Sequence, residues 1–194
     1  MTLHVIVVAY NRPMDLKRLI FDFLLQSVGN WKLHIVHDGP MLKEAVNFIK
    51  DLKDDRISLV ITPKVNGFWG HPNRAMMLET IEGEDDDFVL ITNDDNQYVK
   101  DFVKQFGKKC NKHSGMVYCN TVHNYLDYNV LNTEVKVGSI DMGSFIVRLE
   151  LAKKVGFIHT VEVADGMYAE ECAAECRRRK LMIVRINKPL FIHN

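Results

Sequence analysis

Apolar residues fall in short runs that end in polar clusters, and these runs alternate with stretches of helical spacing. Leu3 to Ala9 is a near-continuous run rich in β-branched residues, the pattern of a central strand covered on both faces. Tyr10-Asn11-Arg12-Pro13 breaks it, and Pro13 suits a first helical position. Leu16, Leu19, Ile20, Phe23 and Leu24 follow at helical spacing, which predicts an amphipathic helix from Pro13 to about Gln26. Trp31 to Val36 reads as a second strand closing in His37-Asp38-Gly39-Pro40. A second helix carries Leu42, Ala45, Val46, Ile49 and Leu52 on one face, and Ile57 to Ile61 is a third strand. This β-α-β-α-β order predicts an α/β domain with a mostly parallel sheet and right-handed crossovers.

A loop from Thr62 to Arg74 leads to a short helix over Ala75 to Ile81. An acidic connection, Glu82 to Asp87, precedes a fourth strand, Phe88 to Thr92. Val99, Phe102, Val103 and Phe106 then repeat at helical spacing, ending near Cys110. Met116 to Cys119 reads as a short strand, Asn124 to Val137 as a loop or hairpin, and Ile140 to Val147 as a loop entering a strand. Leu149 to Val155 is a short helix closed by Gly156. Tyr168 to about Arg179 is helical, with Asp165-Gly166 just before it. Met182 to Ile186 is a strand and Pro189 to His193 a final extended segment.

The 194 residues suit one domain, divided into halves of about 1–97 and 98–194. Lys+Arg and Asp+Glu balance at 25 each, so no global field draws in nucleic acid. No apolar stretch reaches the roughly 20 residues of a membrane span. The opening MTLHVIVVAY lacks a basic n-region and reads as a strand, not a signal peptide. Cys110, Cys119, Cys172 and Cys176 match no zinc spacing and read as reduced thiols of a cytoplasmic protein.

Candidate chemistry centres on the tip of the fourth strand, Asn93-Asp94-Asp95-Asn96. Two adjacent carboxylates flanked by amides suit a hard divalent cation, although Asn and Asp also favour ordinary turns. In a parallel sheet this tip should share one rim with Tyr10-Asn11 and Asp38, where open α/β sheets bind ligands. In the Thr62–Arg74 loop, Asn66, Gly67 and Arg74 could bring backbone and a cation to a phosphate; equally, Phe68 and Trp69 could pack the loop down.

The order of these motifs resembles the inverting glycosyltransferases of family 2. VIVVAYNRP, IVHDGP, the NG…NRA stretch from Asn66 to Ala75, TNDDN, and IDMGSFIVR followed by Gly156-Phe157 carry the resemblance over nearly the whole chain. It implies a GT-A (Rossmann-like) fold, with a mostly parallel central sheet flanked by helices and a smaller mixed acceptor-side region. It also implies an enzyme that moves a sugar from a nucleoside-diphosphate sugar, a UDP- or GDP-sugar, to a glycan or other hydroxyl acceptor. Tyr10 and Arg12 would line the base and phosphate pocket, with Ala9 contributing backbone. Asp38 takes the place of the aspartate that hydrogen-bonds the base, while His37 departs from the usual aspartate before it. Asn66, Gly67 and Arg74 would lie on the donor side. Asn93 stands first and Asp95 last in the Asp-x-Asp signature, which makes Asp95 a metal ligand and puts Asp94 near the ribose or metal. Asn93 removes one charge from that signature. Asp141 would help frame the sugar. The catalytic base would be Asp165 or, alternatively, Glu170 or Glu171, since Arg177 follows Glu171 by six residues. His193 resembles a third metal ligand, and the cation would be Mn²⁺ or Mg²⁺.

The chemistry implied needs a Lewis acid for the leaving diphosphate and a carboxylate to take the acceptor's proton. Two rivals remain. A catalytically silent sugar-nucleotide-binding or partner-binding subunit would share the fold. A nucleotidyltransferase would carry a Gly-rich basic loop after the first strand, where this chain has Tyr10-Asn11-Arg12-Pro13.

Overall fold

The computed structural model describes residues 1–194. Its elements run β1 (Leu3–Ala9), α1 (Pro13–Leu24), β2 (Trp31–His37), α2 (Lys43–Asp51), β3 (Ile57–Ile61), α3 (His71–Thr80), β4 (Phe88–Asn93), β5 (Gln97–Tyr98) and α4 (Phe102–Gly107). They continue with β6 (Ser114–His123), β7 (Asn129–Leu131), β8 (Phe145–Arg148), α5 (Leu149–Val155), α6 (Ala164–Arg178) and β9 (Met182–His193). One sheet has the order β3-β2-β1-β4-β8-β6-β9-β5, with β7 paired to β6. β1, β2, β3 and β4 are parallel, as the alternating pattern predicts. Beyond β4 the sheet turns mixed: β8 runs antiparallel to β4 and β6, and β9 runs parallel to β6.

Each face of the sheet has its own core. In β1, Leu3, Val5, Val7 and Ala9 face the core shared with α1 and α4, whereas Ile6 and Val8 face the core shared with α3, α5 and α6. This period-2 split, with both faces covered, is why β1 reads as an unbroken apolar run. No helix is long and apolar enough to cross a membrane.

Among the boundaries that differ from the sequence reading, three have a local reason. The helix expected from Ala75 begins at His71, because Pro72 fits the first turn, where its missing N–H costs nothing. The helix expected from Tyr168 begins at Ala164, with Asp165 in the first turn, where a carboxylate complements the helix dipole. The two final extended pieces are one strand, β9. Pro189 is tolerated there because the register against β6 shifts on both sides of the Asn120–Pro189 pair.

At the opposite end of the sheet, a polar chain crosses β1, β2 and β3. His4 Nε2 lies 3.2 Å from Asp87 Oδ2, His4 Nδ1 lies 3.0 Å from His34 Nε2, and His34 Nδ1 lies 3.2 Å from Ser58 Oγ. The two rings cannot both be protonated, because either His4 Nδ1 or His34 Nε2 must accept from the other. Burial pushes His34 down to about 4, with His4 and Lys32 adding to the effect. The folded value lies below the unfolded one, so this stability is fully present above about pH 6.5 and is lost as pH falls toward about 4. Allowing for solvent at the half-buried ring, we expect a loss of about 2 kcal/mol over that window. Urea midpoints measured across it should fall in the wild type and flatten in His34→Gln. Equal slopes in the two proteins would remove His34 from the account.

Candidate active site

The tips of β1, β2 and β4 are tied together on one rim. The Asp38 N–H donates to the Ala9 carbonyl at 2.9 Å, and the Asp94 N–H donates to the Val8 carbonyl at 3.2 Å. Asp94 is buried and its Oδ2 accepts from the Tyr10 N–H at 3.1 Å. Arg12 reaches across from the start of α1, pairing with Asp94 at 3.2 Å and with Asp95 Oδ2. Burial pushes Asp94 up to about 6, and the Arg12 cation opposes that rise. Above this rim opens a cleft of about 630 Å³, lined among others by Ala9, Tyr10, Arg12, Asp38, Gly67, Arg74, Asn93, Asp165 and His193. Asn66, Asp94, Asp95, Asp141, Glu170 and Glu171 do not line it.

Asp38 organises the loop between β3 and α3. Its Oδ1 accepts from the Asn66 N–H at 2.8 Å and from Asn73 Nδ2 at 2.9 Å, and its Oδ2 accepts from the Gly67 N–H at 3.1 Å. Asn66 therefore positions the turn that carries Gly67 to the cleft. Gly67, Phe68, Trp69 and Gly70 all have positive φ, and the loop presents Phe68 and Trp69 to solvent at 62% and 65% exposure. The aromatic pair does not pack the loop down. Gly70 has φ +77, and a Cβ there would lie 2.4 Å from Val8 Cγ1, whereas a Cβ at Gly67 meets nothing within 4 Å. Gly70→Ala should therefore cost about 2–4 kcal/mol in chemical denaturation, from left-handed backbone strain plus overpacking against Val8. A loss of only about 1 kcal/mol, the strain alone, would mean that Val8 moves aside.

Arg74 lies buried beneath this loop. It donates to the Trp69 carbonyl at 2.6 Å, to His71 Nδ1 at 2.8 Å and to Asn93 Oδ1. Asn93 thus presents an amide oxygen to a guanidinium where the resembled signature has a carboxylate. Burial pushes Arg74 down to about 10, opposed by Asp165 and Asp94, so it stays charged at neutral pH. Because a guanidinium only donates, His71 Nδ1 is the acceptor and its Nε2–H donates to the Val161 carbonyl at 3.0 Å. His71, pushed down to about 4 chiefly by burial and then by Arg74, is a neutral strut to the segment that leads into α6.

Asp165 stands in the first turn of α6 and lines the cleft. Burial pushes its carboxyl up and the charge of Asp141 adds to that, while the Gly166 N–H and Arg74 oppose it. The two other candidate carboxylates are engaged elsewhere. Glu170 accepts from the Val137 N–H at 2.9 Å, and Glu171 pairs with His159 at 2.7 Å.

His193 lies beside two residues of the second half. Its Nδ1 is 2.8 Å from His123 Nε2 and 3.6 Å from Asp141 Oδ1, and His123 Nε2 is 3.7 Å from that same oxygen. Asp141 Oδ2, His123 Nδ1 and Asp95 Oδ1 are buried without a partner. Asp95 is close by, since its carbonyl accepts from Asn194 Nδ2 at 2.8 Å. Ligands at right angles around a divalent ion with bonds of about 2.1 Å lie about 3 Å apart. The spacing of these donors and their orphaned oxygens therefore fit such an ion. Burial pushes His193 down, toward the neutral form that ligates metals.

The sequence profile described as Glycosyl transferase family 2 matches residues 4–160. The chain belongs to glycosyl transferase family 2. No curated protein matches it in sequence. Among solved structures it is similar to S. aureus TarS 1-349 in complex with UDP, at 16% identity and a TM-score of 0.79, covering 100% of this chain and 60% of that one. The same fragment in complex with UDP-GlcNAc gives 16% identity and a TM-score of 0.77, covering 100% of this chain and 58% of that one. The mannosyltransferase PcManGT from Pyrobaculum calidifontis, in complex with GDP-Man and Mn2+, gives 20% identity and a TM-score of 0.74, with coverage of 98% and 56%. This family 2 chain thus spans about 60% of the TarS 1-349 fragment and has the GT-A fold that the motif order implies.

The family 2 profile ends before Asp165 and His193, so their placement at the cleft comes from the geometry alone. His123 escaped the sequence reading. Its signal is that the parallel strands β6 and β9 both end in His, with His123 and His193 in register.

Proposed function

We propose that this family 2 chain is an inverting glycosyltransferase that moves a sugar from a nucleoside-diphosphate sugar to a hydroxyl of a glycan or other acceptor. The observation that carries this reading is one cleft lined both by Ala9, Asp38 and Asn93 at the strand tips, with Arg12 beside them, and by a half-buried carboxylate, Asp165. The UDP, UDP-GlcNAc and GDP-Man bound by the similar structures favour a UDP- or GDP-sugar as donor.

In this reading Tyr10, Asp38 and Gly67 bind the base and Ala9 contributes backbone. Arg12 turns from the Asp pair toward the diphosphate, and that movement opens Asp94, buried behind it, to the ribose. Asn93 and Arg74 hold the floor of the donor side, with Asn66 fixing the loop and Asp141 set behind the sugar, beside His193. Asp165 takes the acceptor proton as its oxygen attacks the anomeric carbon opposite the leaving diphosphate, so the configuration inverts. His193, beside His123 and Asp141, would hold a divalent cation, Mn²⁺ or Mg²⁺, whose Lewis acidity would stabilise that diphosphate, and Asp95 would be free to join it once Arg12 has turned away.

Calorimetric titration with UDP, GDP, CDP and dTDP, with and without Mn²⁺, tests the reading. Metal-dependent binding of one nucleotide, followed by hydrolysis of one of its sugars to the inverted anomer, is the expected result. Binding without any turnover would instead support a silent sugar-nucleotide-binding subunit, and no binding at all would leave only the fold.

A further inference from the structure

We propose that His123, Asp141 and His193 form a preassembled site for a first-row transition metal, which takes Mn²⁺ in preference to Mg²⁺ before any nucleotide binds. The three residues come from separate segments: the end of β6, the residue before the 3-10 turn that enters β8, and the end of β9. Three donor atoms within 4.8 Å of one another make a two-imidazole, one-carboxylate set. Asp141 Oδ2 remains buried without a partner, a second oxygen available to an ion.

The local charges favour this cluster over the strand tip as the primary site. Arg12 pairs with both Asp94 and Asp95, so a cation at the strand tip must compete with that guanidinium. Asp141 has only the two histidines as ion-pair partners, so no Lys or Arg competes with a cation there. Ion choice follows from donor type. Mg²⁺ keeps oxygen ligands and dehydrates reluctantly, while imidazole favours transition metals in the order Mn²⁺ below Fe²⁺ and Co²⁺. Rings pack against the set and hold its orientation: Tyr125 lies 5.0 Å from His123 and 5.8 Å from His193, and Phe191 stacks 6.2 Å from His193. His193 also lines the cleft, which gives the ion an entry path.

Use of the ion rests on the transferase reading, but its binding does not, so the test contains no nucleotide. The whole chain is titrated with MnCl₂ followed by electron paramagnetic resonance, with CoCl₂ followed by visible absorption, and with MgCl₂ as competitor. Mn²⁺ should bind at one site, Co²⁺ more tightly, and Mg²⁺ at least about tenfold more weakly than Mn²⁺. His123→Ala should weaken Mn²⁺ by about tenfold or more, whereas Asp95→Ala should change it by less than about threefold. Spin-echo modulation from imidazole nitrogen on Mn²⁺ bound to the wild type gives a readout that does not depend on any variant folding. Absence of that modulation, equal affinity for Mn²⁺ and Mg²⁺, or no binding without nucleotide would each overturn the proposal. Loss of binding in Asp95→Ala but not in His123→Ala would overturn it too. Nucleotide binding that survives such a result would leave the transferase reading standing, and metal binding without any nucleotide binding would do the reverse.

Discussion

Asp165→Asn should lower turnover by about 10²–10⁴-fold and leave nucleotide affinity within about twofold of the wild type. Asn keeps the size of the side chain but cannot take a proton. Asp165 faces the cleft, while Glu170 is bound to the Val137 N–H and Glu171 to His159, so neither of those two stands ready to replace it; Glu162 is the one glutamate that also lines the cleft. The acid side of the rate profile provides an independent check. The base form must be present for attack, and burial places the Asp165 carboxyl above its ordinary value. The rate should therefore rise with pH through that raised value, and this rise should vanish in the residual activity of the variant. Initial rates against pH, with nucleotide affinity by calorimetry, decide the matter. Unchanged turnover would hand the role to another group, and Glu162, which shares the cleft wall, would be the next to replace.

Arg74→Met should cost about 3 kcal/mol of stability, within the range for removing one partner of a buried charged network. The guanidinium satisfies the Trp69 carbonyl and Asn93 Oδ1, and both would be left without their donor. An orphaned buried acceptor costs about 1–3 kcal/mol, while removing a desolvated cation returns part of that. A second effect carries a definite sign. Arg74 holds the Asp165 carboxyl down against burial. Without that cation the carboxyl titrates higher, so the acid limb of the rate profile should move toward alkaline pH. Urea denaturation reads the first effect and the pH profile the second. A stable variant with an unmoved acid limb would show that Arg74 and Asp165 do not communicate.

The first half of the fold was legible because its strands are buried on both faces and so appear as uninterrupted apolar runs, with helical spacing between them. Its site was legible for a related reason: a parallel sheet sends every strand tip to one rim, so Tyr10, Asp38 and Asp94 had to converge. The second half was harder. β6 and β9 carry Asn120, His123, Pro189 and His193, and their pairing runs through register shifts that no periodic pattern encodes. Arg74 reads as a surface cation by residue type, yet it is 3% exposed, because the groups that satisfy it come from Trp69, His71 and Asn93. The distinction between Asp165 and Glu171 was invisible in sequence because it depends on where α6 begins. Seven residues before the start of α6, Phe157 closes the aromatic contact with His71 at 5.3 Å.

The place of β9 in the sheet has a consequence for synthesis. β9 lies between β6 and β5, and β5 pairs with no other strand. β1 to β4 are complete once residue 93 has been made, but β6 keeps an open edge until residues 182–193 arrive. Loop closure does not set this order, since the β1–β4 pairing of Leu3 with Phe88 spans more chain than the β6–β9 pairing of Ser114 with Met182; the order of synthesis does. During translation, therefore, β1 to β4 are expected to gain hydrogen-exchange protection first, as pulse labelling of nascent chains would read; simultaneous protection of β1 and β6 would contradict this. The ribosome thus delivers His193, and with it any metal chemistry of the second half, only as the last seam of the sheet is sewn.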